Sequence, residues 1–125
     1  MSDIISRFEA AARTLVGEGP VKQRLVRAYV ENLQDLAEIK LPHEAGKTFR
    51  DLQGAFSTVA PAGTATTVQA SVQKMSAGEA TAHACTILDL YRLMVVAARR
   101  ADHLKVVESL AETEDEPPQF LVGGT

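Results

Sequence analysis

Apolar positions recur along this chain at helical spacing, and the spacing predicts a succession of amphipathic helices. Ile4, Ile5, Phe8, Ala11, Ala12, Leu15 and Val16 fall on one face of a first helix that Ser2 is placed to cap. Gly17-Glu18-Gly19-Pro20 ends it, because two glycines loosen the backbone and a proline suits the first turn of a new helix better than the interior of an old one. A second helix is expected from about Pro20 to Glu38: Leu25, Val26, Tyr29, Leu33, Leu36 and Ala37 cluster on one side, and Arg24, Arg27, Glu31, Gln34, Asp35 and Glu38 on the other. Leu41-Pro42 marks the next break. A third helix, roughly Pro42 to Val59, presents Ala45, Phe49, Leu52, Phe56 and Val59.

Two short signatures then follow ten residues apart. Thr66 with Gln69, and Ser76 with Glu79, each fit a capping box, so a short helix from Thr67 to Met75 and a sharp change of direction near Met75 are expected. The last large helix starts at about Ala77 and runs to Arg99 or beyond. Its main face reads as Ala80, Ala84, Ile87, Leu88, Tyr91, Met94, Val95 and Ala98, while Leu90, Leu93 and Val96 lie off that stripe as surplus apolar positions. Past Arg100, Asp102 is placed to cap a fifth helix through Leu104, Val107 and Leu110; alternatively the preceding helix continues to about Ala111.

This pattern implies an all-α, single-domain helical bundle of four main antiparallel helices plus one short helix, with a fifth C-terminal helix left open. The domain spans residues 1–111, and residues 112–125 form an acidic tail rich in Pro and Gly. A chain of 125 residues is long enough to bury one real core without staples. No uninterrupted apolar run approaches the length of a membrane span, and residues 1–12 lack the pattern of a secretory leader, so a cytoplasmic protein with no membrane contact is expected. The single Cys85 agrees with a reducing compartment.

The formal charge of −3 is unevenly spread: residues 1–60 are neutral, 61–105 carry +2 and 106–125 carry −5. The body lacks the basic excess that phosphate backbones attract, so no nucleic-acid partner is expected, although Arg92, Arg99, Arg100 and Lys105 could form a small local patch.

The candidate chemistry is sparse. His83, Cys85 and Asp89 suggest a metal or nucleophile site, but residues two apart on a helix differ by about 200° and cannot share one ion. Read structurally, His83 flanks the apolar face and Cys85 is a small, moderately buried residue. Arg99, Arg100 and His103 read as basic residues that satisfy the end of a helix and its dipole. Glycine-rich phosphate loops and scaffolded carboxylate pairs are missing from the sequence, and no cofactor, metal or catalytic residue is assigned.

The expectation is therefore a non-enzymatic protein-interaction or regulatory module, partnered by a second copy in a homodimer or by another protein. Leu90, Leu93 and Val96 are its candidate interface. Phe120, Leu121 and Val122 form a candidate docking motif in the tail. The alternative is a small helical enzyme or ligand binder using His83, Cys85 or His103 in an interhelical pocket.

Overall fold

The computed structural model describes residues 2–37, 40–61 and 63–114. Among the described residues five helices follow one another: α1 (Ser2–Leu15), α2 (Val21–Asn32), α3 (His43–Ala55), α4 (Thr67–Lys74) and α5 (Ala77–Glu114). The fold class is all-α, as the periodicity implies. Helix α1 packs on α2 and α5, α2 on α4 and α5, and α3 on α5, so α5 is the shared partner of three of the other four.

Helix α1 buries Ile4, Phe8, Ala11 and Leu15, one side chain per turn. It stops at Leu15, which leaves Val16 75 % exposed, outside the core face its spacing suggests. The turn into α2 needs Gly19, whose φ of +106° is disfavoured for residues with a Cβ. Arg24 then reaches back from α2. Its Nε donates to the Gly19 carbonyl at 2.7 Å and a terminal nitrogen donates to the Leu15 carbonyl, so one guanidinium satisfies the open end of α1.

Helix α2 is shorter than its periodicity suggests, ending at Asn32 where Glu38 was expected. The amphipathic pattern continues through Leu33 and Leu36, but the backbone turns at residues 33–35, and Leu33 and Leu36 enter the core from outside the helix; Leu41 is buried there too. Two long-range bonds hold that turn. Arg7 donates to Asp35 Oδ1 at 2.7 Å, and Gln53 Nε2 donates to the Leu36 carbonyl at 3.3 Å. The Arg7–Asp35 pair is exposed and contributes at most about 1 kcal/mol, so it marks the position of the turn more than it stabilises the fold.

Helix α3 buries Ala45, Phe49 and Leu52, and closes with Phe56 as its buried C-cap. It ends before Val59, whose backbone N–H instead donates to Oγ of Ser71 at 3.0 Å. Ser71 is a buried hydroxyl on α4, and this bond gives it a partner. Both capping boxes form as expected: Thr66 and Gln69 exchange bonds of 2.9 and 3.2 Å, and Ser76 and Glu79 exchange bonds of 3.0 and 3.1 Å. Met75, between them, is extended at φ −71°, ψ 151°, and this is the change of direction.

Aromatic rings tie the core together. Phe8 of α1 meets Phe49 of α3 edge-on at 5.9 Å, and Tyr29 of α2 meets Phe56 at 4.2 Å. From α5 the core takes Ala80, Ile87, Leu90 and Met94. Helix α5 is one continuous element of 38 residues, about 57 Å long. No separate helix starts at Asp102, and the stretch passes residue 111 without a break to Glu114.

Candidate functional site

The register of α5 decides what the molecule presents to its surroundings. Ala80, Ile87, Leu90 and Met94 are all fully buried, with His83 half-buried between the first two. Their spacings alternate between three and four, and the same alternation continues through Ala97, Ala101 and Leu104. The core therefore lies along a heptad seam. The broader face expected from the sequence is rotated from it: Leu88, placed on that face, is exposed, and Leu90, placed off it, is fully buried.

Leu90 is thus used inside the chain and has no surface to offer another molecule. Leu93 is half-buried against the core, and Val96 is 37 % exposed. Beyond them the seam comes into the open. Ala97 is half-buried, Ala101 is exposed, and Leu104 is 61 % exposed. From Arg99 to Val106 every side chain whose environment is described is exposed. A groove of about 400 Å³ lies where the packing runs out, between the start of α3 at Pro42 and His43 and the α5 residues Leu93, Val96, Ala97 and Leu104. Its lining is mainly apolar, with His43, Glu44 and Arg100 as the polar members.

A larger groove of about 760 Å³ lies between α2 and α4 over Val26, Val30 and Val72. Its polar rim is partly committed to the fold. Lys22 Nζ donates to the Gln73 carbonyl at 3.1 Å, and the Gln69 side chain is held in the α4 capping box.

The residues considered for chemistry do not converge. His83 packs against the Phe56 ring at 5.9 Å between centroids, toward the core. Cys85, two positions on, is exposed rather than moderately buried. His103 lies on the same helix, about 27 Å from Cys85 along the axis. Arg99, Arg100 and His103 stand in the interior of α5, not at its end, so they do not cap its last carbonyls. Among the described residues, no three His, Cys, Asp or Glu side chains are grouped to hold a metal. Phe120, Leu121 and Val122 lie outside the described residues, as does all of the tail beyond Glu114.

Two electrostatic perturbations stand out, and both are structural. Burial raises the Tyr29 phenol above its ordinary 10.0, against the lowering effect of its hydrogen bond with Gln53. The Glu79 carboxyl falls below 4.5 because it accepts from the Ser76 backbone in the capping box at the start of α5.

The stretch Ala77–Leu104 has the length and average apolarity of a membrane-crossing helix, although charged residues interrupt it. One side of it is nonetheless built into the core through Ile87, Leu90 and Met94. No protein-family model, curated protein or solved structure matches this chain.

The seam's continuation was open to sequence reading. The 3-4-3-4 alternation of Ile87, Leu90, Met94, Ala97, Ala101 and Leu104 was its signal, but the two alanines and the neighbouring valines widened the apolar arc and hid it.

Proposed function

We propose that this protein is a cytoplasmic, non-enzymatic interaction module, an antiparallel helical bundle that offers the open part of the α5 seam to another polypeptide. One observation carries the reading: the heptad stripe that makes the core through Met94 continues without interruption into Ala97, Ala101 and Leu104, where the chain's own helices no longer cover it. Large apolar side chains at seam positions are stabilised when a second helix covers them, and the two alanines permit a close approach. The seam thus replaces Leu90 as the centre of the contact, while Leu93 and Val96 stay at its edge.

Hydroxyl-radical footprinting tests this. At native concentration in extract of the source cells, oxidation of Leu104 falls relative to that of Val16, an exposed residue on α1 that serves as internal reference. In the protein isolated at nanomolar concentration the two label in proportion to their exposure. Equal relative labelling of Leu104 in both conditions removes the reading.

The second reading, a ligand-binding or catalytic pocket using His83, Cys85 or His103, has only the exposure of the Cys85 thiol in its favour. A stoichiometric metal by elemental analysis, or a Cys85 thiol far more reactive than a free one, would support it.

A further inference from the structure

We infer that the polypeptide covering the open seam is α5 of a second copy, lying antiparallel about a twofold axis near Leu104. The inference rests on the interaction reading above and adds the partner and its orientation. Three observations support it.

The first is charge. Residues 92–105 contain four basic residues and one acidic residue, a formal +3, whereas residues 106–114 contain three acidic residues and no basic one, −3. Parallel pairing sets Glu108, at the next seam position, against its own copy. Antiparallel pairing about Leu104 brings it level with Arg100, which lines the groove beside the seam, while Arg92 and Arg99, two residues from seam positions, stand on the opposite face.

The second is position. The sign of the charge changes between Lys105 and Val106, and Leu104, 61 % exposed, is the large apolar residue of the open seam beside that boundary, so an axis there sets the two Leu104 side chains against each other.

The third is steric. Helices α1, α2 and α3 of each copy lie along α5 on the seam side, with their buried α5 partners between Ala80 and Met94. Parallel pairing through that seam drives two such bodies into the same space, whereas antiparallel pairing places them at opposite ends. An isologous contact of this kind closes on itself and stops at two subunits.

The test uses the full-length purified protein. Light scattering at micromolar concentration gives twice the 13.4 kDa chain mass. In a Cys85→Ser background, Leu104→Cys cross-links to a covalent dimer on mild oxidation. Ala97→Cys, also on the seam, does not, because its two thiols stand roughly 21 Å apart along the axis. The variant Arg100→Glu, at an exposed position and so not expected to disturb folding, weakens the dimer about tenfold or more at low salt, and an unchanged dimer overturns the charge pairing.

A dimer in which Ala97→Cys cross-links as readily as Leu104→Cys overturns the orientation and leaves the interaction reading standing. A monomer mass overturns the second copy as partner; Leu104 shielding in extract would then still support a different one. Flotation with phosphatidylcholine and phosphatidylglycerol vesicles, to which the composition of Ala77–Leu104 is suited, overturns it as well.

Discussion

Truncating Leu90 and truncating Leu104 place the same chemical change at two positions of one seam, and the structure requires opposite outcomes. Leu90 is fully buried between Ile87 and Met94, against the core shared with α1, α2 and α3. Leu90→Ala removes buried apolar volume that a packed interior refills only in part, at a cost of about 3 kcal/mol. Against a net stability of roughly 5–15 kcal/mol for a domain of this size, that is a large fraction. It corresponds to a fall in Tm of about 10 °C. Leu104, 61 % exposed, has no such environment within the chain. Leu104→Ala therefore shifts the stability of the isolated chain by less than about 0.5 kcal/mol. Urea unfolding followed by circular dichroism, run at nanomolar and at tens of micromolar protein, separates the two. Leu90→Ala lowers the midpoint at both concentrations. Leu104→Ala lowers it only at the higher one, where association contributes by mass action. Equal losses for both variants at high dilution would show that residues near 104 are packed within one chain, and the reasoning about the open seam would fail.

Three further outcomes are expected. Ser71→Ala leaves the Val59 N–H without its acceptor and lowers stability by about 1–2 kcal/mol; an unchanged urea midpoint, together with unchanged exchange of the Val59 amide, would contradict the bond. Tyr29 ionises above pH 10.0 in the folded protein, so the stability it lends is complete below the pKa of an unfolded tyrosine and is lost as pH rises through the higher folded value. The phenolate absorbance of wild type minus Tyr29→Phe checks this, and a transition at or below pH 10.0 would refute it. Glu79 runs the other way. Its lowered pKa means that its contribution is present at neutral pH and disappears as pH falls through a folded value below 4.5, so the stability gap between wild type and Glu79→Gln closes in that window; a carboxyl titration by NMR with its midpoint at or above 4.5 would refute the assignment.

Much of the fold was legible because it depends on local chemistry. Thr66 with Gln69 and Ser76 with Glu79 announce helix starts through hydrogen bonds made within four residues, and both formed. The glycines around Glu18 and the proline at 42 mark breaks for equally local reasons. The end of α2 was not legible. Leu33 and Leu36 keep helical spacing, and the long-range bond from Gln53 to the Leu36 carbonyl, which the local pattern does not announce, joins the backbone bonds of a turn there. Val16 failed similarly: periodicity assigned it to a face that the helix ends too soon to supply. The orientation of α5 failed for a different reason. With Leu88, Leu90, Leu93, Val95 and Val96 spread around its circumference, the pattern alone does not choose which arc faces inward; α1, α2 and α3 choose it by burying Ile87, Leu90 and Met94.

That choice has a consequence far from the core. Between Glu79 and Glu114 there is no glycine and no proline, so α5 has no residue at which a kink is favoured. Burial of Ile87, Leu90 and Met94 fixes the rotation of the helix about its axis, because turning it by one residue, about 100°, would take all three out of the core. The rotation of Ala97, Ala101 and Leu104 is then fixed as well, over the roughly three turns that follow Met94. A contact surface held in this way loses little conformational freedom when it is covered, since the ordering has already occurred in the fold. The same rigidity makes the surface sensitive to register. An insertion of one residue between Met94 and Ala97 would leave the core intact and swing Leu104 by about 100°, out of line with the seam, so the fold would survive while the contact was lost.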